Sequence, residues 1–400
     1  MKIRRPDPCL IEIGDALVPD IAQLLRGELR LDPSVGVHLL CAVTGRRVVL
    51  TPDQLAIIAR LTSTQWHEVD ELTRLGLATK DDVLALIQRG AVISDSDEAG
   101  MATLREGEAR LREIGWHPLA AVYHAHSRWS GVMSDEGTRD HNDQAHRERL
   151  IAATQAHGPV PSHFHGRTDA IATAPLPRER LEGHLWEALR SRRTTRHFDA
   201  SRPLPLRDLG HLLHGTFGAQ GLQELAPGVV AIRRTSPSGG ALHPIEAYPL
   251  VMKVEGIKPG FYHYSSEQHA LSLLTPLDED EARRLATSLT VGQSYFSQAQ
   301  ALVFHVGRVD RHHWKYRRHP KAYKALLLDS GHLSQTFYLL AADQGLGAFY
   351  TAAINDADAG ARLGLDPLAE VVIGANGLGI IDDTAHELHL QPAPFEPAMT

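Results

Sequence analysis

Three short stretches hold the side chains of this chain that could do chemistry. The first is Arg233-Arg234-Thr235-Ser236-Pro237-Ser238-Gly239-Gly240-Ala241-Leu242-His243-Pro244, too polar and too broken by glycine and proline for a helix interior or a central strand. Its Ser-Gly-Gly between prolines leaves backbone N–H groups exposed and lets the main chain approach a flat ligand closely. From composition alone it is a surface loop ahead of the apolar segment Ala247 to Val254. The second stretch is Arg192-Arg193-Thr194-Thr195-Arg196-His197-Phe198. Arg192, Thr194 and Arg196 alternate, so an extended segment puts them on one side. Two guanidiniums and a hydroxyl there suit a phosphate and a carbonyl-rich ring edge. Taken alone, they are a solvated basic helix end. The third is Trp314-Lys315-Tyr316, where an amine or a phenol could remove a proton. Arg311, His312, His313, Arg317 and Arg318 around it also describe a plain basic loop.

The whole chain limits what these residues can serve. Four hundred residues exceed one ordinary core and imply two domains or three. Hydrophobic residues at 43% and charged residues at 22% are those of a soluble globular protein. A net charge of −7 argues against a general nucleic-acid binder. Cys9 and Cys41 allow at most one bridge, which excludes a disulfide scaffold and fits a reducing cytoplasm. The first residues lack the apolar core of a secretion signal, and no run approaches the ~20 apolar residues of a membrane span. The 24 histidines invite a metal reading, but His124/His126, His163/His165 and His312/His313 lack the i, i+4 spacing of a helical zinc pair, so no metal is expected.

The elements that must position the three stretches can be read in outline. Over residues 1–95, Leu10 to Ile13, Val37 to Val43 and Val48 to Leu50 are strand-like. Thr51-Pro52 opens a helix, Trp66 to Leu75 forms a second, and Thr79 with Asp82 caps a third that ends at Gly90. Ala102 to Ile114 reads as a charged helix within a linker or lid region, 96–178, rich in loop residues. From 179 to 400 the pattern is mixed α+β. It has helices at Leu204–Leu213, Glu281–Leu289 and Tyr323–Asp343, a hairpin pair at Phe261–Tyr264 and Ala270–Leu274, and a buried strand at Ala301–Val306. No Gly-x-Gly-x-x-Gly follows an early strand, which argues against a Rossmann domain.

Together, the Arg192 segment and the Pro-Ser-Gly-Gly-Ala-Leu-His-Pro loop resemble the paired cofactor motifs of the FMN-dependent nitroreductase-like flavoproteins. The wording is closest to the branch that dehydrogenates azoline rings in ribosomally made peptides. Lys315-Tyr316 followed by an apolar helix with Gly331-His332, and Gly345-Leu346-Gly347 leading into Ala352-Ala353, resemble that branch in order. The resemblance spans about 180–382. It implies an α+β homodimer with FMN at the subunit interface, where Arg192, Thr194 and Arg196 hold the cofactor and the Pro237-Ser238-Gly239-Gly240 loop meets it from the partner. It also implies a backbone N–H of Ala352 or Ala353 at flavin N5, with alanine where the family more often has glycine, and Lys315 with Tyr316 at the reacting ring. No Lys or Arg follows Arg362, so the phosphate falls to Arg192, Arg196 or Arg234.

The implied activity is oxidation of thiazoline or oxazoline to thiazole or oxazole in a ribosomal precursor peptide, in company with a cyclodehydratase or another peptide-modifying enzyme. The alternatives are flavin-dependent reduction of dehydroamino acids in peptides, NAD(P)H-fed nitroreduction, and an inactive peptide-presenting scaffold. The order of strands and helices in 1–95 resembles the winged-helix-like modules that hold leader peptides. On that resemblance a leader adds to a strand edge at Val37–Val43 beside the third helix, Asp82–Arg89. A purely structural cap is the alternative.

Overall fold

In the computed structural model, residues 1–19, 23, 26, 28, 31–96, 98–133, 144–164, 167, 169–177 and 181–384 are described. The first part contains β1 (Lys2–Arg4), β2 (Cys9–Pro19), β3 (Leu31–Cys41), β4 (Arg47–Val49), β5 (His67–Glu68) and β6 (Ile93–Ser94), arranged as two three-stranded sheets, β5-β1-β6 and β2-β3-β4. Helix Pro52–Arg60 begins on a capping box: Thr51 Oγ1 accepts from Gln54 N and Gln54 Oε1 from Thr51 N, both at 3.2 Å. Helix Lys80–Gln88 begins on Thr79, whose hydroxyl accepts from Asp82 N at 3.1 Å. Ile57, Ile58, Val83 and Leu86 of these helices pack on Ile3, Leu39 and Val48 in a core of their own.

The edge expected at Val37–Val43 is not an edge. β3 is the middle strand, paired with β2 on one side and through His38↔Val49, Leu39↔Val48 and Leu40↔Arg47 with β4 on the other. The propensity signal of β2 fades after Ile13, at Gly14, Asp15 and Ala16. An unbroken eleven-residue ladder with β3 nevertheless carries the strand to Pro19, a case of pairing overriding local preference.

The stretch expected as a linker also needs correcting. Helices Ala99–Ile114 and Pro118–Ser127 join the main core through Leu111, Ile114, Trp116, Ala121 and Val122. Two ties fix them there: Trp116 Nε1 donates to Leu368 O (2.8 Å), and the buried Arg4–Glu108 ion pair joins β1 to the first helix. Histidine, arginine and glycine are frequent in this stretch, which masks its apolar spacing in sequence. The loop-rich Glu136 to Asp143 lies outside the described residues.

The third part centres on a six-stranded antiparallel sheet. Ahead of it runs a hairpin that sequence reading missed, β7 (Gly221–Ala226) and β8 (Val229–Arg233). The sheet consists of β9 (Ile245–Val251), β10 (Gly260–Ser265), β11 (Ala270–Pro276), β12 (Ala301–Arg308), β13 (Gly347–Thr351) and β14 (Glu370–Gly379), in the order β11-β10-β9-β12-β14-β13. Alternate residues face opposite layers. Ala301 and Val303 meet helices Leu206–Phe217 and Ala322–Asp343, while Leu302, Phe304 and Val306 meet helices Glu279–Leu289 and Asp356–Leu363. Both faces are covered, which is why Ala301–Val306 reads as a continuous apolar run.

Candidate functional site

The long helix Ala322–Asp343 organises the residues singled out in sequence. On one flank stands Asp329, only 4% exposed. Its carboxylate accepts from Ser238 Oγ (2.5 Å) and from Gly239 N (3.0 Å), and Ser238 Oγ in turn accepts from His243 N (3.0 Å). Ser236 Oγ lies 2.6 Å from Thr336 Oγ1 on the same flank, seven residues further along. The loop is held in a costly shape: Gly240 (φ 65°), Ala241 (57°) and His243 (46°) are all left-handed. Strained backbone of this kind persists only where its surroundings over-determine it, and the Asp329 carboxylate is that constraint.

Lys315 and Tyr316 reach the same loop. They end helix Val309–Lys315, and Lys315 Nζ donates to Gly240 O at 3.4 Å. A Cβ on Gly240 would lie 2.5 Å from the Tyr316 hydroxyl and 3.0 Å from Lys315 Nζ, so glycine is needed here for close approach as well as for its dihedral. The segment is braced from behind. His312 Nε2 donates to Ala322 O (3.0 Å), Arg318 N donates to Gly115 O (2.7 Å), and Trp116 stacks with His124 and meets His313 edge-on. Burial pushes His124 and His313 down to about 4 and lowers His312 as well, which keeps this packing neutral at pH 7.

Arg192 and Thr194 lie elsewhere. The Arg192 guanidinium sits 5.4 Å from the centre of the Tyr338 ring, and Thr194 Oγ1 is 3.3 Å from the Tyr338 hydroxyl. Thr195 points inward, with its N–H on Ala348 O (2.9 Å), as the alternation implied. Arg196 is half-buried in the same segment. Nine positions separate Asp329 from Tyr338, which at 100° per residue places them on opposite flanks of the helix. One chain therefore does not bring the arginine segment and the Ser-Gly-Gly loop together. Between the two flanks the helix exposes Leu328, and Leu327 is exposed on the Tyr338 flank.

Two candidates are hydrogen-bonded within the chain itself. Arg234 donates to Ile245 O (2.9 Å), and desolvation pushes its pKa down to about 10, so it braces the root of the loop. The Ala353 N–H donates to Thr351 Oγ1 (3.1 Å), leaving Ala352 as the alanine of that pair for the assigned role. Sequence reading missed Asp329 and Tyr338. A carboxylate between Leu328 and Ser330 in an apolar helix was the available signal for Asp329. It also missed a buried network between this helix and the sheet, in which His305 Nδ1 lies 2.8 Å from Ser330 Oγ and Ser330 Oγ 3.1 Å from the Tyr350 hydroxyl. Complete burial pushes His305 down to about 4. Among the described residues no group of three or more metal-ligating side chains occurs, and no helix is long and apolar enough to cross a membrane.

Comparison with known proteins gives this geometry a context. The model of the nitroreductase family matches residues 189–380. A nitroreductase-type protein of Methanocaldococcus jannaschii is 30% identical over 172 residues, 43% of this chain and 80% of that protein. The trifolitoxin-processing protein TfxB of Rhizobium leguminosarum bv. trifolii is 30% identical over 145 residues, 36% of this chain but only 39% of that protein's length. Among solved structures, a nitroreductase of Anabaena variabilis is 26% identical with a TM-score of 0.42, covering 50% of this chain and 38% of its own. The E. coli microcin synthetase McbBCD, bound to truncated pro-MccB17, is 19% identical with a TM-score of 0.45, covering 79% of this chain and 99% of the matched one.

Proposed function

The chain belongs to the nitroreductase family of oxidoreductases, and from that premise we propose that it is an FMN-dependent dehydrogenase that oxidises thiazoline or oxazoline rings of a ribosomally made peptide to thiazoles or oxazoles. The observation that carries the reading is the convergence of Lys315 and Tyr316 on the Gly240 backbone, with Asp329 fixing the loop beneath them. A relative named for trifolitoxin processing supports the peptide context.

The residues fit FMN. Arg192 and Thr194 beside Tyr338 offer a charged donor and a hydroxyl for a phosphate or a polar ring edge, and the loop offers backbone uncovered by any Cβ at Gly239 and Gly240. These halves lie on opposite flanks of one helix, whose outer face exposes Leu328, with Leu327 exposed on the Tyr338 flank. A two-fold dimer packed along that face sets the loop of one protomer against the arginine segment of the other. Bound FMN supplies the two-electron acceptor for the hydride leaving Cβ of the ring, with dioxygen as the terminal oxidant. This chain's own part is the proton. Tyr316 Oη as phenolate, or Lys315 Nζ as free amine, takes it from Cα, the second group holds the first in place, and the Gly240 carbonyl orients the Lys315 N–H.

The test is direct. Cofactor released by heat should chromatograph as FMN, and a synthetic thiazoline peptide should lose one pair of hydrogens per ring on incubation with the protein and dioxygen. FAD in the first assay removes the cofactor assignment. Steady NAD(P)H-driven nitroarene reduction with no ring oxidation would favour the second reading, a free-standing nitroreductase, to which the M. jannaschii relative points.

A further inference from the structure

The two residues after Lys315 and Tyr316 grip a helix from a distant part of the chain. Arg317 Nη2 donates to Glu113 O (2.6 Å) and to Arg112 O (3.2 Å), and Arg318 N donates to Gly115 O (2.7 Å). The first two acceptors belong to the last turn of helix Ala99–Ile114, whose carbonyls find no N–H further along their own helix. That helix ends left-handed at Gly115 (φ 82°), and a guanidinium there meets the negative end of its dipole. The fit is close, since a Cβ on Gly115 would lie 3.0 Å from Arg317 Cγ and 3.2 Å from its Nε. Arg318 is itself left-handed (φ 51°), a conformation that costs a residue with a side chain and persists where its surroundings impose it.

A clasp positions something only if what it grips is fixed. Glu108 of this helix is fully buried, is paired with Arg4 of β1 and accepts from Asp7 N (2.6 Å). Arg110 Nε donates to Asp366 Oδ2 (3.1 Å), and Trp116 Nε1 to Leu368 O, both just ahead of β14. Glu108 and Glu113 stand about 7.5 Å apart along the axis, so one short rod is held from two sides. The pair on the other end of the clasp has little of its own to hold it. No hydrogen-bond partner meets the Tyr316 hydroxyl among the described residues, and Lys315 Nζ reaches Gly240 O only at 3.4 Å. Their side chains are placed by their backbone, and the nearest side-chain tie on that backbone is Arg317.

We propose that Arg317 is a positioning residue for ring oxidation: its clasp on helix Ala99–Ile114 sets Tyr316 and Lys315 at their height over Gly240. The reaction it serves rests on the functional reading above. Residues 1–95 then contribute to the site mechanically, through Arg4 and Glu108, as part of the frame that the clasp grips.

The experiment uses the full chain with its flavin and a small synthetic thiazoline. Arg317→Ala should keep FMN and lower kcat about tenfold while KM stays within about twofold, because misplacement falls on the reacting geometry. Arg317→Lys, which can serve one of the two carbonyls, should recover part of the loss. In a chain already carrying Tyr316→Phe and Lys315→Ala, Arg317→Ala should cost less than about twofold, since nothing is left for it to position. The same tenfold loss in both backgrounds overturns the proposal. A second readout needs no turnover. With fluorotyrosine in place of tyrosine, and its Tyr316 signal assigned by Tyr316→Phe, fluorine NMR should show that signal move toward its unfolded position in Arg317→Ala and return in Arg317→Lys. An unmoved signal overturns the proposal even in a protein that oxidises rings. A moved signal in a protein that oxidises none upholds the clasp and removes the functional reading alone. If Arg317→Ala does not fold, Arg317→Gln, which keeps an amide donor, takes its place in both measurements with a smaller effect of the same sign.

Discussion

Asp329 is the most consequential position to perturb, because two candidate cofactor-binding residues hang on one carboxylate. Asp329→Ala removes both of its acceptor contacts, to Ser238 Oγ at 2.5 Å and Gly239 N at 3.0 Å. Hydrogen bonds to a charged group are worth about 1.5–3 kcal/mol each, so the loop loses roughly 3–6 kcal/mol of restraint. That matches the cost of the left-handed backbone at Ala241 and His243, about 1–3 kcal/mol per residue. Freed, the loop should relax and withdraw Gly240 from Tyr316. Asp329→Asn is milder. Its amide oxygen can keep Gly239 N, and the Ser238 hydroxyl can reverse and accept from the amide nitrogen, so mainly the charge is lost, about 1.5 kcal/mol. FMN affinity of the apoprotein, measured by fluorescence quenching, should fall about tenfold for Asp329→Asn and by about a hundredfold or more for Asp329→Ala. Far-UV circular dichroism should be unchanged in both. If Asp329→Ala keeps its fold and binds FMN within about twofold of the parent, the carboxylate is not what shapes the site.

Gly240→Ala should abolish ring oxidation, because its Cβ would meet the Tyr316 hydroxyl at 2.5 Å in a left-handed residue; normal turnover would show that the loop adjusts freely. Tyr316→Phe and Lys315→Ala should retain flavin while losing ~10²–10⁴-fold in turnover, and losses below about tenfold in both would return the pair to an ordinary basic loop. Leu328→Asp on the exposed helix face should yield a flavin-poor monomer in sedimentation, whereas a flavin-loaded monomer contradicts the two-fold arrangement. Burial holds His305 neutral, its pKa pushed down to about 4 from the ordinary 6.5 of a histidine, so the unfolded chain binds the extra proton between those values. The stability from this site is complete above about pH 6.5 and falls as the pH drops toward 4, by about 2 kcal/mol at pH 5. Urea titrations at pH 7 and 5 should show a smaller difference for His305→Gln than for the parent.

The sheet domain was legible because its signals are local. A continuous apolar run marks a strand buried on both faces, as at Ala301–Val306, and Asp278 with Glu281 caps the helix that follows β11. The three chemical stretches were legible as motifs, but their spatial relation was not. Nothing local says that Ser238 and Thr194 address opposite flanks of one helix, since that follows from helical phase between Asp329 and Tyr338. β7–β8 escaped because Leu222, Leu225, Val229 and Val230 are exposed and sit among Gln, Glu, Pro and Gly. Arg234 reads in sequence as a candidate for the cofactor phosphate because a sequence does not say which guanidinium turns inward to a carbonyl.

The sheet β2-β3-β4 is gripped from both sides. Leu39 and Val48 belong to the N-terminal core, while Leu10, Leu40 and Ala42 pack into the main one. A sheet shared in this way cannot swing like an arm on a pivot; it is a bracket bolted to the enzyme's body. A precursor peptide held by this sheet, as the resemblance of residues 1–95 to leader-holding modules implies, would reach Lys315 and Tyr316 only through its own slack. The number of residues between the docked segment and a ring would then act as a ruler, deciding which rings are oxidised and which are out of range.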